Sequence, residues 1–367
     1  MIASWRSRVR AATPVDRDRT VDALRAYAVV GVILGHWLVS ALVSEAERPA
    51  VWQGESPLPD HPALVPATWF LQTLGPFFFA GGYAAARGLR SRPPGSWLTT
   101  RFARLVRPVA VLAAVWLPAL LLLRVTGAPE STRHVVRSLV THPMWFLLVY
   151  LVLTALTPLL RAAVIRWRVW PVLPLAALIA AGDSGWVSWP SPVAAPVGWA
   201  VPYLLGIALA EGVLPRRTGL VLAPAGVIAG AALVLLAGYP ASAVGVPGAG
   251  RSNLDPPSLF ALALAAVQIG VFLLVRPGLA GLLRRPAVWA PVAVPNLAAM
   301  TLYCWHQTAL LLVTFGGLLV GPLPGLLDPP DGAWPVYRLL WLPVFGLTLA
   351  GLCRLFHRFE RPKPAGR

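Results

Sequence analysis

Apolar runs long enough to cross a lipid bilayer recur from end to end of this 367-residue chain, and they leave few folds open. A hydrocarbon core of about 30 Å takes about 20 helical residues. Windows close to that length, separated by turn formers and charge, fall at residues 21–43, 66–86, 105–123, 143–161, 169–182, 197–213, 219–237, 257–275, 297–320 and 335–356. A backbone in lipid must satisfy its own hydrogen bonds, so each window reads as a helix. The expected fold is therefore all-α, a polytopic membrane protein with about ten transmembrane helices in one bundle. A cytoplasmic arm (1–20) precedes the helical domain (21–356) and a cytoplasmic tail (357–367) follows it. Pro171, Pro174 and Pro202 make the fifth and sixth windows the weakest.

Composition supports the same reading. With 57% hydrophobic residues and 12% charged, the chain has too little polar surface to coat a soluble globule of its length. The net charge of +17 does not call for a nucleic-acid partner, because the basic residues cluster between apolar windows. Basic loops mark the cytoplasmic side of a membrane protein. With ten spans and both termini inside, 24 of the 31 basic residues fall on the cytoplasmic side and five on the other, with Arg25 and Arg338 inside spans. Nine of the 14 acidic residues fall on the opposite face, and an odd number of spans would spoil this separation. Thirty of the basic residues are Arg, Lys363 being the exception, and the Arg, Ala, Pro and Gly richness points to a GC-rich bacterial genome. The five arginines before residue 21 accompany no apolar core of their own, so the first span is expected to direct insertion without a cleaved leader.

Ionisable groups inside a span are costly and mark pathways, sites or internal pairs. Asp22 and Arg25 share one face of the first helix and can pair, either within a site or as an interfacial anchor. His36, eleven residues beyond Arg25, returns to nearly the same face about 16 Å further along the axis. It is a candidate general base, since a neutral imidazole accepts a hydroxyl proton near pH 7; a hydrogen bond to a neighbouring helix is the plainer role for a lone histidine. His306 is the second intramembrane histidine and is open to the same two readings.

Arg101, Arg104 and Arg107 enter the third window after Arg87, Arg90 and Arg92. Guanidinium forks suit phosphate oxygens, so this mouth is a candidate for a nucleotide-bearing donor, although such a pattern at a membrane boundary also serves as a topological anchor. Trp145, Phe146 and Tyr150 open the fourth window, where an aromatic belt is the simplest role. Cys304 and Cys353 lie in apolar segments and build neither a disulfide framework nor a thiolate cluster. No pattern for a catalytic metal or a nucleotide-hydrolysing loop occurs, and Gly81-Gly82 reads as close helix packing.

Taken in order, these stretches resemble the acyltransferase 3 family of integral-membrane acyltransferases. Val21-Asp22-Ala23-Leu24-Arg25 followed by His36 resembles its first-helix motif, and Pro76-Phe77-Phe78-Phe79-Ala80-Gly81-Gly82-Tyr83 its second. Arg101-Phe102-Ala103-Arg104-Leu105-Val106-Arg107-Pro108 resembles its Arg-x-x-Arg motif, and Trp145-Phe146-Leu147 its fourth-helix motif. Tyr303 to His306 resembles a late histidine motif, and Phe359-Glu360-Arg361-Pro362 a Glu-x-Pro ending. Ala26 stands where the family has Gly, and Gly81 where it commonly has Ser. The resemblance implies transfer of an acyl group, most simply acetyl, from acyl-coenzyme A to a hydroxyl of a sugar, a cell-envelope glycan or lipid, or a natural product. His36, Arg25 and Asp22 would then be catalytic, and Arg101, Arg104 and Arg107 would hold the donor. His306, Trp145, Tyr150 and Glu360 are further candidates. Acyl-coenzyme A would be a co-substrate, with no permanently bound cofactor or metal. Composition and topology fit equally well a transporter or flippase for a lipid-linked or small anionic molecule, using Arg25 and His36 as a pathway.

Overall fold

The computed structural model describes residues 14, 17–45, 47–188, 190–321 and 323–360. Most of the N-terminal arm, and the tail from Arg361 and Pro362 onward, lie outside the described residues. The chain is a helical membrane protein with almost no sheet. Among the described residues eight helices are long and apolar enough to cross a membrane, and a pair bent by 75° makes a ninth span.

The first helix, α1 (Arg19–Val39), begins where the Asp18 carboxylate accepts the Thr20 and Val21 amides. It ends under Arg338, whose wholly buried guanidinium donates to the carbonyls of Trp37, Ser40 and Gly325. The Trp37 and Ser40 carbonyls are ones a helix C-terminus leaves without partners, and a cation there also suits the helix dipole. The clamp fixes the turn that carries His36. A hairpin follows, pairing β1 (Ala41–Ser44) with β2 (Trp52–Glu55). The sequence reading has no hairpin here, because four-residue strands carry too little alternation to register.

The second window divides at Gln72 and Thr73 into α2 (Val65–Leu71) and α3 (Leu74–Arg90). Next come α4 (Pro94–Val125), the short α5 (Glu130–Thr141) and α6 (Met144–Trp167). Helix α4 begins eleven residues before its apolar window, so Arg101, Arg104 and Arg107 are helical. The fifth window is α7 (Val172–Asp183), 12 residues and therefore about 18 Å long, less than the hydrocarbon thickness. It still carries the chain between faces. Arg161 near the end of α6 pairs with Glu211 on one side, whereas Asp183 accepts the Tyr239 hydroxyl and the Leu259 amide on the other. Among the described residues α7 thus adds one short apolar helix to the nine.

The remaining helices are α8 (Ser191–Ala210), α9 (Gly219–Leu236), α10 (Leu259–Leu282), α11 (Pro286–Leu297), α12 (Ala299–Leu318) and α13 (Trp334–Phe356). Helices α11 and α12 form the bent pair, with Pro291 and Pro295 in the shorter arm. Helix α3 lies against α8 backbone to backbone: a Cβ on Gly82 would sit 2.0 Å from the Tyr203 carbonyl oxygen, and one on Gly206 1.9 Å from that of Phe79. Close packing, as read from Gly81-Gly82, is the role Gly82 has. Leu117, Leu121, Leu159, Leu235 and Leu347 are exposed along the outer helices, the lipid-facing surface that the apolar excess demands.

Candidate functional site

Two cavities enter the bundle from opposite faces. The first, about 550 Å³, opens at the face carrying the start of α1 and the end of α3, and gathers Arg17, Arg25, Arg87, Arg101 and Arg104 with Asp18, Asp22 and Glu360. Asp22 is paired by Arg17 and by Arg25, the latter at 3.1 Å. Arg25 also donates from Nε to Asn296 Oδ1 at 2.5 Å, and Asn296 in turn donates to the Asp22 and Val292 carbonyls. The last turn of α11 thereby locks Arg25 in place. Asp18 is held by Thr20 and by Arg276 at 2.6 Å. Burial alone would raise its carboxyl, but the Thr20 hydroxyl and the Arg276 guanidinium outweigh burial and hold it below the ordinary carboxylate range.

Arg101 and Arg104 are different: among the described residues neither has a carboxylate within ion-pair distance. Arg101 donates to the Tyr150 hydroxyl at 3.0 Å, and its buried Nε has no partner. Tyr150 thus acts inside the bundle, 6% exposed, rather than in an interfacial belt. A cation held by one phenol, with donors to spare, is equipped for an anionic ligand. Arg107 is exposed and does not line this cavity. Glu360 caps α12, accepting the Met300 and Thr301 amides and the Thr301 hydroxyl. Gly81 packs under Tyr150, whose ring lies 2.6 Å from where a Cβ would stand, so a serine at this position would force the ring to move.

The second cavity, about 480 Å³, opens at the opposite face between the hairpin, α5 and the loop around residues 244–255. At its inner end His36 and His306 meet, Nδ1 to Nε2, at 2.7 Å, with the rings stacked at 4.9 Å. Hydrogen-bond bookkeeping fixes the tautomers. The other nitrogen of His306, Nδ1, faces the Tyr303 carbonyl at 2.6 Å, and a carbonyl only accepts. His306 Nδ1 therefore carries the proton, Nε2 accepts from His36 Nδ1, and His36 Nε2 keeps a free lone pair. His142 adds a third ring, 6.2 Å from that of His36. Trp145, Tyr303, Gln72 and Gln307 line the same space.

Phe146 alone lines both cavities. It is 2% exposed and packs at 4.8 Å on Phe77 and 5.1 Å on Tyr303, so these aromatic rings form the partition between the arginines and the histidines. Arg25 and His36, on one helix, sit on its two sides.

A family model described as an acyltransferase domain, acyltransferase 3, matches residues 18–356. The chain belongs to the acyltransferase 3 family. It is accordingly a membrane acyltransferase in the general sense, and the matched region contains the histidine pair with Arg101 and Arg104. No curated protein and no solved structure matches it.

The approach of His306 to His36, and the parts played by His142, Asn296, Gln72 and Gln307, are missing from the sequence reading. One signal was available: Tyr303, His306 and Gln307 are spaced i, i+3, i+4, a polar stripe on an otherwise apolar helix.

Proposed function

We propose that this acyltransferase 3 protein is an O-acyltransferase that takes an acyl group, most simply acetyl, from acyl-coenzyme A and places it on a hydroxyl. The acceptor would be a sugar, a cell-envelope glycan or lipid, or a natural product. The observation that carries this reading is the junction at Phe146 of a cavity holding Arg101 and Arg104, without carboxylate partners among the described residues, with one holding an imidazole whose lone pair is free. Arg101 and Arg104 bind donor phosphates, with Arg25 fixed beside them by Asp22 and Asn296. The thioester arm reaches toward the partition. His36 Nε2 takes the acceptor proton as the hydroxyl oxygen attacks the thioester carbonyl; the carbon–sulfur bond breaks and the departing thiolate receives the proton. His306 keeps His36 in the required tautomer and orientation. Positioning two substrates in a water-poor space supplies much of the remaining acceleration.

The charge bias of the loops supports a cytoplasmic arginine-rich face with both termini inside, and the Arg, Ala, Pro and Gly richness supports a bacterial plasma membrane. Cavities entered from opposite faces also suit a transporter or flippase, the second reading. Labelled acetyl-coenzyme A supplied to membranes bearing the wild type or His36→Ala separates the two. Label in a lipid, glycan or small-molecule fraction with wild type only supports the enzyme. Acetyl transfer retained by His36→Ala removes the base assignment, and purified protein that binds no acyl-coenzyme A leaves the transporter.

A further inference from the structure

We infer that His142 is a second catalytic histidine of this cavity, holding the reacting hydroxyl of the acceptor between its own ring and that of His36. The inference rests on the acceptor-site reading of the histidine cavity proposed above. His142 lines that cavity and is exposed, and His36 beside it is partly exposed, so both rings can be reached from the open space. Their separation leaves room for a single atom. A ring nitrogen lies about 1.2 Å from its centroid, so a direct bond between two imidazoles needs centroids within about 5.6 Å, whereas one oxygen hydrogen-bonded to both spans up to about 8 Å. His36 and His306, at 4.9 Å, are bonded directly; His36 and His142, at 6.2 Å, are one oxygen apart.

Among the described residues the His142 ring makes no hydrogen bond, whereas that of His306 is held at both nitrogens. The place of His142 is nonetheless fixed. It closes α5, its amide donating to the Ser138 carbonyl, and the carbonyl of the next residue, Pro143, accepts the Tyr303 hydroxyl at 2.5 Å. Tyr303 stands three residues before His306 on α12, so the turn bearing His142 is fastened to the helix that orients His36. A neutral imidazole offers one N–H and one lone pair, and exchange of tautomers chooses which nitrogen donates. A hydroxyl between the two rings donates to His36 Nε2 and accepts from the His142 N–H, which leaves its second lone pair to attack the thioester carbonyl. His36 takes the hydroxyl proton as the carbon–oxygen bond forms. The thiolate released by the breaking carbon–sulfur bond receives that proton, and His142 keeps its own throughout. Two contacts on one oxygen fix the direction of attack, which a single contact does not.

Zinc ion tests the juxtaposition without an acyl donor, because a zinc about 2.0 Å from each nitrogen bridges centroids up to about 6.4 Å apart. Zinc chloride is expected to stabilise purified wild type in detergent saturably against heat. His142→Phe and His36→Phe should each weaken that binding at least about tenfold, while His134→Phe, at an exposed position on α5, leaves it unchanged. In membranes supplied with labelled acetyl-coenzyme A, His142→Phe is expected to lower kcat about tenfold to a hundredfold with the donor KM unchanged. Phenylalanine keeps a ring of similar volume, so a residue that merely packs would lose nothing. Asn and Gln carry an amide nitrogen near one or the other ring nitrogen, so His142→Asn or His142→Gln should restore part of the rate. A His142→Phe protein that transfers at the wild-type rate would overturn the inference, as would a wild type that zinc does not stabilise or whose zinc response survives His142→Phe. If wild-type membranes transfer no acetyl group while the zinc response is seen and is lost in both variants, the acyl-transfer reading fails and the pairing of His142 with His36 about one atom stands.

Discussion

Replacing His306 with Ala is the sharpest test of how the site works, because the residue touches neither substrate in the proposed mechanism. Among the described residues the 2.7 Å bond to His306 is the only hydrogen bond of the His36 ring, and His306 is wholly buried. Its removal leaves His36 Nδ1 without an acceptor, a penalty of about 1–3 kcal/mol. The histidine recovers it by turning, or by moving its proton to Nε2; either response removes the lone pair from the acceptor. At about 1.4 kcal/mol per decade, kcat for acyl transfer should fall roughly 5- to 140-fold with the donor KM unchanged. His36→Ala should cost more, about 10²- to 10⁴-fold, since it deletes the base itself. The decisive measurement is the double variant. If His306 acts only through His36, then His36→Ala/His306→Ala is no slower than His36→Ala alone. His306→Gln, whose carbonyl can stand in for Nε2 as acceptor, should recover part of the loss. A double variant slower than His36→Ala by the full His306 factor would refute the coupling, and a His306→Ala enzyme within twofold of wild type would refute the role altogether.

Other consequences follow from neighbouring parts of the structure. Arg101→Ala/Arg104→Ala should raise the donor KM by about tenfold or more while leaving acceptor dependence intact, because among the described residues neither has a carboxylate within ion-pair distance; an unchanged donor KM in steady-state transfer assays would remove them from the site. Gly82→Ala should abolish stable accumulation in the membrane, since its methyl group would stand 2.0 Å from the Tyr203 carbonyl oxygen, whereas Gly278→Ala meets nothing within 4 Å and should accumulate normally, as fluorescence-detected size exclusion would show. Acid should loosen the arginine-rich face. Burial would raise the Glu211 carboxyl, but Arg161 and Arg90 outweigh it, and like Asp18 it is held below the ordinary carboxylate range. Groups depressed in this way stabilise the fold fully above about pH 4.5 and progressively lose that effect as pH falls through their lowered values. The unfolding temperature in detergent should therefore drop below that pH, and Glu211→Gln should flatten part of the drop.

Much of this architecture is written locally along the chain, and the parts that escape a reading of the sequence share one physical cause. A span is announced by its own apolar residues, so nearly every window became a helix, and Asp22, Arg25, His36, Arg101 and Arg104 stand out because charge inside lipid is costly wherever the chain goes next. Pairings between distant segments leave no such mark. His36 and His306 are 270 residues apart, and Arg338 reaches back 301 residues to the carbonyl of Trp37. Nor does hydropathy separate lipid-facing from inward-facing aromatics: Trp145, Phe146 and Tyr150 read as a belt, yet Phe146 and Tyr150 are buried in the partition and beside Arg101.

The bend between α11 and α12 shows what those long-range pairings accomplish. The window at 297–320 takes in the longer arm and leaves out the shorter one, Pro286–Leu297. Pro291 and Pro295 weaken the helix just ahead of the bend, each removing a backbone donor. A straight helix would carry Asn296 and His306 along one axis, ten residues and about 15 Å apart. Turning the chain by 75° at Ala298 instead lets Asn296 hold Arg25 near the arginine-rich face while His306 meets His36 on the other side of the aromatic partition. Both contacts fall on α1, which presents Arg25 to one cavity and His36 to the other. The bent pair is thus the brace that fixes the two working ends of one straight helix, and Arg338 secures its far terminus. Loss of Asn296 should therefore disturb the donor side first, through Arg25, while the histidine pair, held by the separate arm of α12, stays in place.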